Sequence, residues 1–240
     1  MKNRNDEPII KSVMFNHKGT EEDMNNRQTK DLQLGVYADF KPNLTEVNRR
    51  AKFVMLGVIM PTLQMDVLNQ LEAPEFVLAD TIDCYIKEVP QDLKRLLKRV
   101  DLICLNDSEA RLLTKTDNLL DAAKKIHKMG PETVIIKKGE YGAMLSDAEG
   151  IFLAPAFPLQ KAVDPTGAGD SFAGALMGYI AAHANTKAEA RQIMRQAIMN
   201  GSVVASFCCE GFGLQRLDTV TKKDIKSRLS ELKSMIAVDI

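Results

Sequence analysis

The chain of 240 residues lacks tryptophan, carries no net charge, and contains only three histidines and four cysteines. Its 32 Lys and Arg balance 32 Asp and Glu, so no basic excess points to a nucleic-acid partner. The histidines lie far apart, and the cysteines, at positions 84, 104, 208 and 209, have no metal-ligand spacing. We therefore expect reduced, mostly buried thiols of the kind typical of cytoplasmic proteins.

Long hydrophobic runs are also missing. The most apolar segment, near residues 172–182, is too short and too rich in Gly and Ala to span a bilayer. Residues 1–7 are polar and lead into no long apolar core, so we expect no secretory signal, no membrane partner and a cytoplasmic location. The length suits one sizeable α/β domain.

Short apolar segments alternate with helical patterns from about residue 53 onward. The pattern predicts strands at 53–59, 75–79, 102–105 and 133–137, with shorter β-like pieces at 143–145 and 151–153. It predicts helices at 61–71, 90–100, 108–113, 118–129, 168–183, 187–208 and 221–236. We expect an α/β fold with a mostly parallel central sheet and helices on both faces. In such a sheet, ligands bind beyond the carboxyl ends of the strands.

The most informative stretch, residues 164–171, reads Asp-Pro-Thr-Gly-Ala-Gly-Asp-Ser and leads into a helix of small residues. Gly167, Ala168 and Gly169 allow a tight turn and a close approach of the backbone to a ligand. Free N–H groups at a helix start, with the positive end of the helix dipole, bind an anion such as phosphate. A carboxylate in the same turn, Asp170, could serve as base for an attacking hydroxyl, although it could also merely stabilise the helix start.

Residues 164–170 resemble the Asp-x-Thr-Gly-Ala-Gly-Asp motif of the phosphofructokinase-B/ribokinase family of carbohydrate kinases. The resemblance implies a ribokinase-like three-layer fold and an ATP-dependent, Mg²⁺-assisted phosphotransferase that acts on a sugar or nucleoside hydroxyl. It implies that Asp170 is the base, and that the N–H groups of Gly167, Ala168 and Gly169 stabilise the charge on the phosphoryl group.

Asn106 and Glu109 directly follow a predicted strand. Locally they read as a capping box, in which Asn106 caps a helix and Glu109 reaches back to its N–H. They also resemble the Asn-x-x-Glu motif of the same family, which implies a role in organising Mg²⁺, mostly through water. Both interpretations can hold together.

Three further segments complete the predicted nucleotide site. The turn after the fourth strand resembles the family loop near the ATP phosphates, which assigns Lys138, Gly139 and Gly142 to nucleotide binding; a solvated Lys138 remains an alternative. The segment at 200–205 breaks a helical stretch with small residues. A tight helix–helix contact explains it, and the resemblance instead implies an adenine pocket formed by Asn200, Ser202 and Val203. Asp80, at the end of a predicted strand, resembles a family position where an Asp faces the phosphate site and is a secondary candidate for that site.

The beginning of the family pattern is not found in residues 1–30. Members of the family start with a strand that carries an Asp for the sugar hydroxyls, followed by a Gly-Gly motif and a β lid. We expect residues 1–30 to be a remnant of the lid or a flexible tail, and 31–240 to be the nucleotide-binding and catalytic domain, with the N-terminal strands and lid incomplete. A non-catalytic, kinase-like nucleotide-binding protein is the alternative function, and a homodimer is left open.

Overall fold

The computed structural model describes residues 39–237. The chain divides into a unit of residues 1–43 and a unit of residues 44–240. Of the first unit only residues 39–43 are described, and they form neither helix nor strand. The predicted lid remnant at 1–30 lies outside the described residues.

One sheet of six strands organises the second unit, in the order β1-β2-β3-β4-β5-β6. The first four strands are parallel, and β5 and β6 add as an antiparallel ribbon beyond β4. The strands are β1 Phe53–Leu56, β2 Phe76–Asp80, β3 Leu102–Asn106, β4 Thr133–Lys137, β5 Ala143–Asp147 and β6 Gly150–Ala154. The predicted mostly parallel sheet is confirmed, with a first strand three residues shorter than predicted.

Ten α-helices are present in the described residues. They are α1 Glu46–Arg49, α2 Pro61–Gln70, α3 Asp83–Glu88, α4 Pro90–Leu97, α5 Asp107–Thr114, α6 Leu119–His127, α7 Ala168–His183, α8 Lys187–Gln192, α9 Met194–Cys208 and α10 Lys222–Ile236. None of these is long and apolar enough to cross a lipid bilayer.

The helix predicted over 187–208 is wrong in one respect, because it breaks at Ile193 into α8 and α9. The segment at 200–205, predicted to interrupt the helix, lies inside α9 instead. Lys187 and Arg191 on α8 both form ion pairs with Glu132, just before β4. These contacts hold α8 against the amino end of the sheet. Helix α3 was not predicted, because its six residues carry little periodicity.

Side-chain alternation along the strands builds two separate cores. Leu78, Cys104 and Ile135 face a core beneath α7, α9 and α10. Their strand neighbours point the other way, into a core covered by α2, α4 and α6. The resulting three layers confirm the predicted ribokinase-like arrangement and leave the carboxyl ends of β1–β4 along one edge.

Helices α7 and α9 pack closely because small residues line their contact. A Cβ added at Gly201 would lie 2.9 Å from the carbonyl oxygen of Phe172 and 3.1 Å from its ring. The side-chain amide of Asn200 donates to the carbonyl oxygen of Ala175 at 3.0 Å. The small residues of α9 therefore serve at least the helix–helix contact proposed for them.

This contact gives the first testable prediction. Gly201→Ala should lower the free energy of unfolding by about 1–3 kcal/mol, because the new methyl group overpacks the interface between α7 and α9. Gly178→Ala is the matched control, since an added Cβ there meets nothing within 4 Å. That control should raise stability by about 0.5–1 kcal/mol through reduced backbone entropy. Urea unfolding of both variants measures the difference, and equal stabilities would contradict the described packing.

Candidate active site

The turn before α7 supplies free backbone donors at the helix start. Gly167 is the N-cap with φ 82°, a conformation that favours glycine. The N–H of Ala168 donates to Pro165 O at 3.0 Å, and that of Ser171 donates to Gly167 O at 2.8 Å. Within the described part of the chain, no hydrogen bond takes up the N–H of Gly169 or Asp170. The N–H of Ala168 is thus already used within the turn, and the predicted anion binding by the N–H groups of Gly167, Ala168 and Gly169 stays a prediction.

The rest of the turn is fastened to the end of α9. Asp164 Oδ1 accepts a hydrogen bond from the N–H of Thr166 at 2.9 Å, which holds the pKa of Asp164 below its ordinary value. The N–H of Val163 donates to Cys209 O at 2.8 Å, and Cys208 Sγ donates to Thr166 O at 3.5 Å. These bonds fix the turn before any ligand arrives. Asp170 itself is exposed in the first turn of α7.

Three polar residues end neighbouring strands on the face beneath α7. The last residues of β2, β3 and β4 are Asp80, Asn106 and Lys137. Each lies two residues after an apolar residue of that face, so its side chain lies on the same face of the sheet. Asn106 and Lys137 are partners in the strand register. The sequence interpretation singled out Lys138 and missed Lys137. Strand alternation is the signal that would have found it, because Lys137 lies two residues after the buried Ile135.

Lys137 reaches the start of α7. Its ammonium lies 2.9 Å from Asp80 Oδ2, and the two side chains are 17% and 3% exposed. It also lies 3.1 Å from the position that a Cβ on Gly169 would occupy. Burial opposes the charge, yet the carboxylates of Asp80 and Glu109 hold the pKa of Lys137 above its ordinary value. Beneath it, burial raises the pKa of the Cys104 thiol to about 12, so this cysteine is no nucleophile at neutral pH.

Asn106 and Glu109 form the predicted capping box at the start of α5. Asn106 Oδ1 accepts from the N–H of Glu109 at 2.8 Å, and Glu109 Oε2 accepts from the N–H of Asn106 at 2.7 Å. Carboxylate and amide oxygens are the donor chemistry that Mg²⁺ prefers. Among residues 39–237, no group of three acidic, His or Cys side chains forms a complete metal cage. The oxygens of Asn106 and Glu109 have the chemistry to hold a Mg²⁺ ion through its water ligands.

The hydroxyl of Thr81 adds a buried polar group at the end of β2. Thr81 is 3% exposed, and within the described range its Oγ1 has no hydrogen-bond partner. A buried hydroxyl left in this state costs free energy unless water or a ligand satisfies it. A polar ligand at this edge of the sheet fits that observation.

The turn after β4 adopts the conformation that its glycines predict. Gly139 and Gly142 have φ of 57° and 81°. The N–H of Lys138 donates to Gly142 O at 2.7 Å, which closes the turn. A Cβ on Gly142 would lie 2.0 Å from Ala154 O, so the turn packs tightly on the end of β6. The part that Lys138, Gly139 and Gly142 play in nucleotide binding stays a prediction.

The residues predicted to line an adenine pocket lie on α9. Asn200 is partly buried and bonded to α7, as described above. Ser202 is 6% exposed, and the Val203 side chain is fully buried in the core beneath α7. The structure thus brings Asn106, Glu109, Gly169 and Asp170 to one edge of the sheet, whereas the adenine-binding role of the α9 residues stays a prediction.

Unpaired N–H groups at a helix start, a capped helix and a lysine at neighbouring strand ends of an α/β sheet are typical of α/β proteins that bind phosphate. Comparison with known proteins makes the assignment specific. The model of the pfkB family of carbohydrate kinases matches residues 20–220. The chain belongs to that family.

Similarity to individual kinases covers parts of the chain. A cytidine kinase from Thermococcus kodakarensis is 35% identical over 136 residues, which are 54% of this chain and 48% of that protein. An aminoimidazole riboside kinase from Salmonella typhimurium is 36% identical over 90 residues, 38% of this chain and 28% of that one. The chain thus spans about half or less of the length of these relatives.

Solved structures share the fold. The crystal structure of aminoimidazole riboside kinase from Salmonella enterica, complexed with aminoimidazole riboside and an ATP analog, superposes with a TM-score of 0.55 at 26% identity, over 65% of this chain and 52% of that one. Methanocaldococcus jannaschii nucleoside kinase gives 0.64 at 18% identity, over 86% of this chain and 64% of that one. The ribokinase-like fold is confirmed.

Proposed function

We propose that the chain is the nucleotide-binding and catalytic part of an ATP-dependent phosphotransferase that acts on a sugar or nucleoside hydroxyl. One observation carries the proposal. Asp170 lies in the first turn of α7 beside the unpaired N–H of Gly169. The ammonium of Lys137 lies 3.1 Å from the position that a Cβ on Gly169 would occupy. Phosphoryl transfer needs such donors for the phosphate and a base for the attacking hydroxyl.

In this mechanism the terminal phosphate of ATP binds at the amino end of α7. Asp170 accepts the proton of the acceptor hydroxyl while the hydroxyl oxygen forms a bond to the terminal phosphorus. At the same time the bond between that phosphorus and the oxygen that stays with ADP breaks. The N–H groups of Gly169 and Asp170 stabilise the negative charge that spreads over the phosphoryl oxygens. They need no rearrangement, because the turn is already fixed by Asp164 and the end of α9.

The ion Mg²⁺ would be held beside Asn106 and Glu109 through its water ligands. When bound, it would neutralise charge on the nucleotide phosphates. Both side chains are already oriented by the capping box, so their oxygens do not have to be ordered during binding.

The names of the relatives support an assignment of the acceptor, and the resemblance to the family supports an assignment of the residues that bind the nucleotide. Their names include kinases of cytidine, ribose and aminoimidazole riboside, which supports a ribose-like or nucleoside acceptor. We assign two segments to nucleotide binding. The turn after β4 contributes Lys138, Gly139 and Gly142, and the middle of α9 contributes Asn200, Ser202 and Val203.

A second candidate is a kinase-like protein that binds nucleotide without transferring phosphate. The observation that favours it is the exposure of the Asp170 side chain to solvent. Radiolabelled ATP tested against hexoses, pentoses and nucleosides separates the two. Saturable transfer to one acceptor supports the kinase, and nucleotide binding without transfer supports the second candidate.

Nucleotide binding itself gives the second testable prediction. Because a ligand that binds only the folded state stabilises it, Mg·ATP at 100 times its Kd should add about 2.7 kcal/mol. For a chain of this size that raises Tm by about 5–10 °C. Differential scanning fluorimetry measures the shift in Tm, and buffer without nucleotide and buffer with inorganic sulfate are the controls. A Tm that does not move at millimolar Mg·ATP would contradict a nucleotide site.

A further inference from the structure

Arg228 of α10 is a largely buried cation that joins two segments of the chain. Its side chain is 14% exposed, and its guanidinium donates to Glu210 Oε1 at 2.6 Å and to Ser206 Oγ at 3.0 Å. The guanidinium carbon lies 3.5 Å from the ring centroid of Phe207 and 4.7 Å from that of Phe157. Such a guanidinium, bonded to a carboxylate and placed on aromatic rings, is held in one orientation. Arg228 therefore connects the end of α9 to the segment that follows β6.

The turn before α7 lies between the same two segments. Phe157 belongs to the stretch that leads from β6 into this turn. On the other side, Cys209 O accepts hydrogen bonds from the N–H groups of Val163 and Asp164 at 2.8 and 3.4 Å. Glu210, the partner of Arg228, directly follows Cys209. A shift of the end of α9 against the segment after β6 would therefore move the turn.

The position of the turn sets the position of the donors at the start of α7. Gly167 caps the helix and its carbonyl oxygen accepts from the N–H of Ser171, so the N–H groups of Gly169 and Asp170 move with the turn. Donors that stabilise a transferred phosphoryl group act through fixed geometry. A displacement of about 1 Å, caused far from the chemistry, can cost about 100-fold in rate.

We infer that Arg228 is a positioning residue of the candidate active site, which fixes the turn before α7 by holding the end of α9 against the segment after β6. The expected effect on rate rests on the proposed function. The inference goes beyond that function, because it places a determinant of the site on α10, away from the strand ends.

Hydrogen–deuterium exchange of the full 240-residue chain tests the inference, because it separates local opening from global unfolding. Arg228→Met removes the guanidinium and keeps an unbranched apolar side chain. The variant should remain folded, since Glu210 keeps Arg216 as an ion partner at 3.2 Å. Exchange of the amides in residues 163–171 should become about tenfold faster or more.

The same variant has an expected kinetic signature. The kcat for phosphoryl transfer should fall about 10–100-fold, while the KM for Mg·ATP changes less than about threefold. Displaced donors lose interactions that are made fully only in the transition state, so the rate suffers more than nucleotide binding does. Initial rates with radiolabelled ATP and the best acceptor measure both constants.

Two control variants separate a local effect from a general loss of stability. Arg195→Met removes another guanidinium from an aromatic ring, that of Phe152 at 5.5 Å, and from an ion pair with Glu149. Ile126→Val lowers stability from the core on the other face of the sheet. Both controls should leave exchange in residues 163–171 unchanged, although Ile126→Val should speed exchange in β3, whose buried amides open by global unfolding.

A conservative variant covers the case in which Arg228→Met does not fold. Arg228→Lys keeps the positive charge opposite Glu210, but an ammonium lacks the planar fork that reaches Ser206 and Glu210 together. Arg228→Lys should therefore speed exchange in residues 163–171 as well, by a smaller factor than Arg228→Met.

The outcomes separate this inference from the proposed function. Faster exchange in residues 163–171 in the Arg228 variants alone supports the inference. Unchanged exchange there, equal acceleration in Ile126→Val, or a kcat that stays at the original value overturns it, and phosphoryl transfer by the original chain leaves the proposed function standing. If the original chain transfers phosphate to no acceptor, the proposed function fails, and the exchange measurement still decides whether Arg228 holds the turn.

Discussion

Asp170→Asn is expected to slow phosphoryl transfer from ATP to the best acceptor about 10²–10⁴-fold. The amide keeps the shape of the carboxylate and cannot take the proton of the attacking hydroxyl. Asp170 is exposed in the first turn of α7, so the substitution leaves the packing of the helix unchanged. Initial rates with radiolabelled ATP measure the loss, and calorimetry should show that nucleotide binding survives.

Asp117→Asn is the matched control for this rate measurement. It makes the same change of charge at an exposed position between α5 and α6, away from the strand ends of the site. Its rate should equal that of the original chain. If Asp170→Asn also keeps the full rate, Asp170 has no part in proton transfer and only stabilises the start of α7.

Most of the fold could be predicted because its pattern is local. Buried strands of a parallel sheet are short apolar runs, and the sequence shows β2, β3 and β4 in that form, with helical spacing between them. The break at Ile193 could not be predicted, because neither Gly nor Pro marks it. At Ile193 the backbone departs from helical geometry for one residue, with φ −98° and ψ 8°, and no local sequence signal shows this.

The local geometry of the candidate site could be predicted where its residues are neighbours in sequence. The turn at 164–171 and the capping box of Asn106 and Glu109 are each contained in a few residues. Lys137 escaped because its partners, Asp80 and Gly169, come from a different strand and a distant helix. Two lysines in a row do not show which one faces the site. The alternation of side chains along β4 decides it, because Lys137 lies on the same face of the sheet as the buried Ile135.

Breaking the buried pair gives the largest expected loss of stability. Asp80→Asn keeps the side-chain volume and leaves the Lys137 ammonium buried without its counter-charge, which should cost about 3–5 kcal/mol. Asp80→Asn/Lys137→Met removes both charges and should recover most of that loss. Urea unfolding at neutral pH measures all three proteins, and the cycle with Lys137→Met isolates the coupling between the two side chains.

The pair of Glu46 and Arg50 shows why burial, and not distance, decides this prediction. Those side chains lie 2.8 Å apart, much as Asp80 and Lys137 do, but are 79% and 63% exposed. Water already solvates both charges there, so Glu46→Gln should cost less than about 1 kcal/mol. Equal losses at the two sites would mean that Lys137 is as well solvated as a surface residue. Lys137 would then need no anion at the start of α7, because water would already solvate its ammonium.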